Sequence, residues 1–162
     1  MNTIILLLGG NEGDVIASIK EAVQLLAERL GKPLASSHYY ESEPWGFKAS
    51  QNFINQVVAF HSHVDAIEIL NFTQMIEKRL GRKTKTGTHY ASRPIDIDIL
   101  FIDDQHIQLP RLTVPHPRLH ERMFTLLPLT EHWKKWRHPV LNKTVQELLI
   151  ACDDKGLVRR LD

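Results

Sequence analysis

The segment 95–100, Ile-Asp-Ile-Asp-Ile-Leu, constrains this chain most, because it alternates apolar and acidic residues with a period of two. Successive side chains of a β-strand point to opposite faces, so the isoleucines can share one face while Asp96 and Asp98 share the other. Two carboxylates on one face lie roughly 6.5–7 Å apart and repel each other unless cations bridge them. Such hard oxygen ligands suit magnesium, which completes its shell with water and substrate phosphates. The motif alone leaves a second interpretation open, a half-buried strand with a hydrated acidic face.

The bulk properties are those of an ordinary globular protein. The 162 residues are enough for a proper hydrophobic core, and we expect residues 1–162 to form a single domain. The chain is 43% hydrophobic and 24% charged with a net charge of +1, which gives no general case for nucleic-acid or membrane binding. Its one cysteine, Cys152, excludes an internal disulfide, and the first apolar run, 4–8, is too short for a signal sequence or membrane span. We therefore expect a cytoplasmic protein.

Hydrophobic periodicity and turn residues predict the element order β-α-β-β-α-β, followed by further helices. This order is that of the ferredoxin-like α+β sandwich, an antiparallel sheet with helices packed against it, here with extra C-terminal helices. Asp14 and Asp65 are candidate N-caps of the first two helices. The segment 9–13 is predicted to be a turn, since it lacks the spacing of a phosphate-binding loop. The strands are expected over 3–8, 34–40, 53–61 and 95–100, and the later helices over about 121–133 and 145–151.

Three other segments bear residues suited to chemistry. The basic loop 82–88 fits either a solvated connection or a lid over polyphosphate, and Arg93 fits a phosphate beside the two aspartates. The segment 111–118 is extended by its prolines and either grips a triphosphate or is an ordinary loop. The aromatic and basic run 132–138 fits nucleic-acid contact less well than tryptophans folded back onto the domain. No serine or cysteine nucleophile stands out, and phosphoryl-type transfer needs none.

Several of these segments, in this order, resemble the 6-hydroxymethyl-7,8-dihydropterin pyrophosphokinase family of folate biosynthesis over essentially the whole chain. The signature is Arg93-x-x-Asp96-Ile-Asp98, preceded by the basic residue His89. The other matching pieces are Gly9–Asn11, Tyr40–Gly46, Phe53–Asn55, Thr73–Glu77, Thr113–His116 and Glu121–Phe124.

The resemblance implies an ATP-dependent diphosphokinase. Such an enzyme transfers the β,γ-pyrophosphoryl group of ATP to the hydroxymethyl group of the dihydropterin and releases AMP. Two Mg²⁺ ions would be bridged by Asp96 and Asp98, in a two-metal arrangement with the ions about 3.5–4 Å apart. The expected partners are the two small-molecule substrates, with neither nucleic acid nor membrane, and the expected state is a monomer.

The resemblance also implies roles for other residues. The pterin ring would stack between Phe53 and Phe124. Asn55, with groups around Ser42, Pro44 and Trp45, would hold its polar edge. The catalytic residues would be Arg82, Lys85, Arg93, Asp96 and Asp98. The nucleotide would be held by Gln74, Glu77, Lys85, Tyr90, Arg93, Ile99, Arg111, Thr113, His116 and Arg122.

The chain departs from the family pattern in the loop before Arg93. Tyr90-Ala91-Ser92 stands where Trp-Gly-Pro is usual, and Lys85 stands where an arginine is usual. Lysine is a point charge without the bidentate fork of arginine, so its hold on phosphate differs. Two alternative functions stay open at this point. One is a metal-dependent phosphohydrolase that needs no pterin, and the other is a ferredoxin-like nucleic-acid-binding module with steeply salt-dependent binding.

Overall fold

Helices and strands follow one another in the order expected from the sequence, with additional short strands. The structure is a computed structural model, and it describes residues 1–44, 51–81 and 94–161. A 3-10 turn spans Leu119–Glu121. The helices and strands are β1 (Asn2–Gly10), α1 (Val15–Leu30), β2 (Ala35–Ser36), β3 (Tyr39–Ser42), β4 (Phe53–Ser62), α2 (Ala66–Arg79), β5 (Asp96–Ile102), β6 (Ile107–Leu109), β7 (Leu112–Val114), α3 (Met123–Trp133), α4 (Val145–Ala151) and β8 (Val158–Leu161).

The main sheet is antiparallel and has the strand order β5-β1-β4-β3-β8, with β2 also pairing with β4. Strands β6 and β7 form a separate hairpin. The four strands of the β-α-β-β-α-β unit are β1, β3, β4 and β5, and they lie in the order β5-β1-β4-β3, which confirms the ferredoxin-like α+β prediction. Consequently β5, which carries both aspartates, is an edge strand of this sheet.

The first two helices begin at the acidic residues that the sequence indicated. The Asp14 carboxylate accepts a hydrogen bond from Ala17 N at 3.1 Å, and the Asp65 carboxylate accepts one from Glu68 N at 3.0 Å. Each bond satisfies one of the amide groups that a helix start leaves without an intrahelical partner. Both N-cap predictions are therefore confirmed.

Both faces of the sheet are covered by helices. Alternate residues of β1 separate into two buried clusters: Ile4, Leu6 and Leu8 pack with α1 and α2, whereas Ile5 and Leu7 pack with α3 and α4. We call these sides the first face, covered by α1 and α2, and the second face, covered by α3 and α4. The predicted C-terminal helices thus add a layer to the sandwich, and α3 brings the buried Trp133 onto the second face as expected.

Three parts of the sheet differ from the sequence prediction. Gly9 and Gly10 belong to β1 and pair with β4, so the predicted turn over 9–13 was wrong for its first two residues. The expected strand over 34–40 is divided at Ser37, whose hydroxyl accepts from Val57 N at 2.9 Å in place of regular pairing. The β6–β7 hairpin and β8 were not predicted. In the described ranges, no helix is both long and apolar enough to cross a membrane.

The two isoleucines Ile19 and Ile150 test how much the first face stabilises the fold. Ile19 on α1 is completely buried, whereas Ile150 on α4 is 79% exposed. We expect Ile19→Ala to lower the free energy of unfolding by about 2–5 kcal/mol, and Ile150→Ala to change it by less than about 0.5 kcal/mol. Chemical denaturation measures both values, and equal losses in the two variants would contradict this packing.

Candidate active site

The two aspartates of β5 lie on the second face of the sheet, as their spacing predicted. Asp96 pairs with Gly9 and Asp98 pairs with Leu7 on β1, and Leu7 belongs to the cluster on that face. The neighbouring isoleucines are buried in the first-face cluster. Both aspartates remain partly exposed, and the Asp98 side chain keeps 27% of its accessible surface. Two carboxylates therefore point the same way at an edge of the sheet that water and ligands can reach.

A row of paired residues runs from Asp96 across the sheet. Asp96 pairs with Gly9, Gly9 with Asn55, and Asn55 with Tyr40, so all four lie on the second face. The Asn55 side chain fills the space above Gly9, because a Cβ added to Gly9 would lie only 1.9 Å from Asn55 Oδ1. Asn55 is two strands from Asp96, which corresponds to about 10 Å. Because Gly9 has no side chain, the Asn55 amide can lie against the sheet between β4 and the aspartates.

Ser42 and Asn55 form what we call the polar pair. Both residues are about 5% exposed, and neither Ser42 Oγ nor Asn55 Nδ2 has a hydrogen-bond partner among the described residues. Ser42 pairs with Phe53, which lies two residues before Asn55 on the same face and is partly exposed. A buried polar atom without a partner costs about 1–3 kcal/mol. Such atoms beside an accessible aromatic ring indicate a site for a flat ligand with a polar edge.

The start of α3 brings Arg122 and Phe124 to the second face. Phe124 packs against the buried cluster on that face, and the guanidinium carbon of Arg122 lies 5.5 Å from the centre of the Phe124 ring. A guanidinium at this distance is attracted to the aromatic face. The two predicted site residues therefore contact each other.

The outer edge of β5 is partly closed by two more predicted residues. The buried Glu77 carboxylate accepts a hydrogen bond from Ile97 N at 2.7 Å, and His116 N donates to Leu100 O at 3.1 Å. Ile97 lies between the two aspartates, so the Glu77 bond fixes the backbone from which both carboxylates project. Glu77 was predicted to bind the nucleotide. In this structure its carboxylate binds the backbone of β5, and its contact with nucleotide stays a prediction.

Three more predicted nucleotide residues belong to α2 and to the hairpin of β6 and β7, and a fourth, Ile99, belongs to β5 itself. Arg111 Nη2 donates to Gln74 Oε1 at 3.3 Å and to Asn71 Oδ1 at 2.6 Å, which ties the strand hairpin to α2. Thr113 on β7 is exposed, whereas Ile99 is buried on the first face. Gln74, Arg111 and Ile99 therefore lie on the first-face side of β5, opposite the carboxylates. A ligand that touches both sets would have to cross the strand edge.

His116 lies beside Asp98, with its Nε2 atom 3.9 Å from Asp98 Oδ2. Burial, with a further contribution from the Arg122 guanidinium, lowers the pKa of His116 to about 4. The ring is therefore neutral near pH 7 and makes no ion pair with Asp98 there. Its Nδ1 atom accepts from Arg118 N at 3.1 Å, so the proton of the neutral ring is on Nε2, the side that faces Asp98.

Some predicted residues lie outside the described ranges, namely Trp45, Arg82, Lys85, Tyr90 and Arg93. Pro44 is described and is partly buried two residues after Ser42. The structure therefore brings together the aspartates, the polar pair, Phe53 and the start of α3 on the second face, and Gln74 with Arg111 beyond β5.

Sequence reasoning missed the residues that hold α3 against the sheet. Glu131, near the C-terminal end of α3, accepts from the Tyr40 hydroxyl at 2.6 Å and from His38 N at 2.9 Å. Burial and the nearby carboxylate raise the pKa of the Tyr40 phenol. Asp154 accepts from Met123 N at the other end of the helix. These partners are 91, 93 and 31 residues apart in sequence, so no local pattern signals them.

The aspartates have the donor chemistry for a divalent cation. Within the ranges that the structure describes, no group of three or more His, Cys, Asp or Glu side chains is arranged to hold a metal. Two carboxylates from one strand face supply hard oxygen ligands that fit Mg²⁺, provided that other oxygens complete its octahedral shell. The site therefore fits a metal that is held jointly with a ligand.

Gly9→Ala tests the close approach of Asn55 to β1. The new Cβ would collide with Asn55 Oδ1 and with Ile54 O, which would lie 2.8 Å away. We expect a loss of about 1–3 kcal/mol in the free energy of unfolding, the usual cost of overpacking. In a protein that already carries Asn55→Ala, Gly9→Ala should lower the free energy of unfolding by less than it does in the native protein, because the clashing side chain is gone. Additive losses in a double-mutant cycle would contradict the contact.

Solved structures with the same architecture include two that are described as HPPK-DHPS. A crystal structure described as HPPK-DHPS in complex with substrates superposes with a TM-score of 0.71 at 16% identity, covering 93% of this chain and 43% of that one. Wild-type HPPK-DHPS of Plasmodium falciparum with pteroate gives a TM-score of 0.74 at 19% identity, covering 93% and 42%. This chain spans less than half of each, and at these identities the likeness establishes the fold.

Sequence comparison establishes the family. A relative in Porphyromonas gingivalis named 2-amino-4-hydroxy-6-hydroxymethyldihydropteridine pyrophosphokinase is 42% identical over 141 residues, which are 86% of this chain and 95% of the relative. Proteins of the same name in Aquifex aeolicus and Bacillus subtilis are 38% and 35% identical, covering 91% and 80% of this chain and 90% and 77% of theirs. The profile of the family described as 7,8-dihydro-6-hydroxymethylpterin-pyrophosphokinase (HPPK) matches residues 5–134. The chain belongs to this pyrophosphokinase family.

Proposed function

We propose that this chain uses Asp96 and Asp98 to hold magnesium, and the polar pair to hold the pterin, during pyrophosphoryl transfer. The family transfers a pyrophosphoryl group to 6-hydroxymethyl-7,8-dihydropterin in folate biosynthesis. With ATP as donor, the hydroxymethyl oxygen bonds to the β-phosphorus and loses its proton. The bond from the β-phosphorus to the oxygen bridging to the α-phosphate breaks, and AMP leaves. The protein must therefore align two substrates and offset the charge of three phosphates.

The observation that carries the proposal is the common face of the two aspartates and the polar pair. Asp96 and Asn55 lie in one row of the sheet, separated by the side-chain-free Gly9. Bound magnesium would neutralise phosphate oxygens and lower the pKa of the attacking hydroxyl. Because two carboxylates do not fill octahedral shells, nucleotide oxygens and water would supply the other ligands, and we propose two ions. Asp96 and Asp98 then fix where the β-phosphorus lies relative to the pterin.

The pterin proposal rests on the unsatisfied atoms of the polar pair. Asn55 Nδ2 is a donor and Ser42 Oγ both donates and accepts, so they match the mixed polar edge of a pterin. Phe53 lies beside them, and Phe124 comes from the helix that covers the same face. Two aromatic rings suit a flat heteroaromatic ligand. We assign Ser42, Pro44, Phe53, Asn55 and Phe124 to the pterin, with Trp45 as a further residue that the family pattern suggests.

The nucleotide proposal rests on the edge of β5. Arg111 bonds to Gln74 between α2 and the hairpin that also carries Thr113. His116 lies 3.9 Å from Asp98, and Arg122 is close enough to His116 to lower its pKa. A nucleotide that crosses the edge would put its base near α2 and its phosphates near the carboxylates. The neutral His116 ring can donate from Nε2 to a phosphate oxygen without adding charge. Ile99 would contact the nucleotide from β5, and Glu77 would contact it from α2, beside the edge of that strand.

The other predicted residues complete the proposal on family resemblance alone. Arg82, Lys85 and Arg93 would pair with the phosphates, and Tyr90 would contact the nucleotide. We further propose that residues 1–162 act as one domain, as a monomer in the cytoplasm, with ATP and the dihydropterin as the partners.

One product assay tests the proposed function. The protein is mixed with ATP, Mg²⁺ and the hydroxymethyl dihydropterin, and the nucleotide product is identified by chromatography. AMP that forms only when pterin is present is the expected result. ADP, or turnover without pterin, would indicate a metal-dependent phosphohydrolase instead. An inert protein that binds RNA would indicate the nucleic-acid-binding alternative, which the relatives' names do not support.

Asp96→Asn and Asp98→Asn test the metal ligands without changing side-chain size. We expect each to lower kcat by at least about a hundredfold, since each removes charge from the phosphate-binding centre. Binding of pterin alone, followed by its fluorescence, should change little, because the polar pair is two strands away. Asp104→Asn, in the exposed turn after β5, is the matched control. Near-normal turnover in either β5 variant would refute the assignment.

A further inference from the structure

We propose that Asp154 is a positioning residue that holds the start of α3, and with it Phe124, at the pterin site. This inference rests on the proposed function, because it concerns the ring that would stack on the pterin. Asp154 lies in the segment between α4 and β8, outside the residues 5–134 that match the family profile. It is partly buried and touches neither β5 nor the polar pair in any hydrogen bond that we observe among the described residues.

The contact lies at the first residue of α3. Asp154 Oδ2 accepts a hydrogen bond from Met123 N at 2.9 Å, and Met123 lies between Arg122 and Phe124 in sequence. Arg122 is the N-cap residue of α3 but provides no side-chain cap, and the first turn contains no acidic residue. Asp154 therefore performs from a distant segment what an N-cap side chain usually performs locally.

The first turn of α3 needs such support because of its own sequence. Pro128 lies inside the helix and has no N–H, so the carbonyl of Phe124 lacks its intrahelical donor. An unsupported first turn would fray more easily. Fraying would move the backbone of Phe124, and it would also disturb the Arg122 guanidinium that contacts the Phe124 ring.

The carboxylate is itself fixed by the turn that follows it. Asp154 Oδ1 accepts from Gly156 N at 2.8 Å, so both oxygens have defined donors. A Cβ on Gly156 would lie 3.1 Å from Oδ1, which makes the turn a tight fit around the carboxylate. Gly156→Ala would thus push the carboxylate without removing it.

The same segment also reaches the other side of the proposed pterin site. Two residues beyond Gly156 the chain enters β8, and Val158 pairs with Ser42 of the polar pair. Residues 154–158 therefore join the helix that bears Phe124 to the strand that bears Ser42. In the proposed role, this short segment fixes the distance between the two sides of the pterin site.

The test compares the loss of this cap with the loss of an ordinary one. Asp154→Ala removes the bond to Met123 N. Thr144→Ala removes the N-cap of α4, because the Thr144 hydroxyl accepts a hydrogen bond from Glu147 N at 3.2 Å. α4 carries no predicted site residue. Both variants should lower the melting temperature by similar amounts. Only Asp154→Ala should weaken equilibrium binding of the hydroxymethyl dihydropterin, by about five- to tenfold, the effect of losing one capping interaction.

Two further variants keep the result interpretable if Asp154→Ala folds poorly. Asp154→Asn retains one acceptor oxygen and should recover part of the pterin affinity. Gly156→Ala should give a weaker form of the same loss. The kinetic signature should be a raised KM for pterin with a smaller change in kcat, because the reacting groups remain in place.

The outcomes separate this inference from the proposed function. If the native protein makes no AMP from ATP and pterin, the proposed function fails. If the native protein is active but Asp154→Ala and Gly156→Ala bind pterin as tightly as it does, the positioning role is refuted and the function stands. If Thr144→Ala weakens pterin binding as much as Asp154→Ala, the effect is general destabilisation and the positioning role is also refuted.

Discussion

The register between β5 and β1 decides where the acidic groups lie. Asp96 pairs with Gly9 and Asp98 with Leu7, and the isoleucines that alternate with the aspartates enter the cluster under α1 and α2. A slip of one residue would turn both aspartates into that apolar cluster and the isoleucines toward the site. Each buried isoleucine contributes about 1.5–3 kcal/mol, so the apolar side of the strand specifies the register with ample energy. A bulge between Ile5 and Leu6 ends the strict alternation further along the strand, where Leu100 and Phe101 both join the second-face cluster. The carboxylates therefore project from a strand whose opposite side is buried in the core.

Carboxylates from distant elements fix the backbone around this site. Glu77 accepts from Ile97 N, Asp154 from Met123 N, and Glu131 from His38 N, and each binds an amide at the start or edge of an element that carries predicted site residues. Each bond satisfies a backbone amide of β5, α3 or the β3 region, so these contacts hold the three elements in place before any substrate binds. The Glu131 carboxyl illustrates the balance: burial raises its pKa, but the bonds from Tyr40 and His38 outweigh that effect and lower it. A site prepared in this way loses less conformational entropy when its ligands bind.

The local part of the structure follows from the sequence, and the non-local part does not. The alternation at 95–100, the caps Asp14 and Asp65, and the helix over Val145–Ala151 depend on residues within one or two turns or along one strand, so pattern and propensity predict them. Gly9 and Gly10 look like a turn in sequence, yet pairing with β4 over a separation of more than forty residues makes them strand. β8 pairs only because β3 offers it an edge, and Asp154 finds Met123 across the fold. For the candidate site, family resemblance supplied the residue set, and the structure supplied the division of those residues between the two sides of β5.

That division explains how one short chain can bring two substrates together. The proposed pterin residues come from β3, β4 and α3 on the second face, whereas Gln74 and Arg111 come from α2 and the β6–β7 hairpin beyond the edge of the sheet. Asp96 and Asp98 lie on β5 between these groups, so the phosphates and the attacking pterin hydroxyl would meet at that strand. Arg122 and Phe124, proposed for nucleotide and pterin respectively, flank the single amide that Asp154 holds. A displacement of that amide would change the positions of residues proposed for both substrates. The Arg122 guanidinium and the Phe124 ring, which lie 5.5 Å apart, would move together. In the proposed role, the C-terminal segment, which carries no recognisable motif, would act on both substrates through the backbone of α3 rather than through a reacting group.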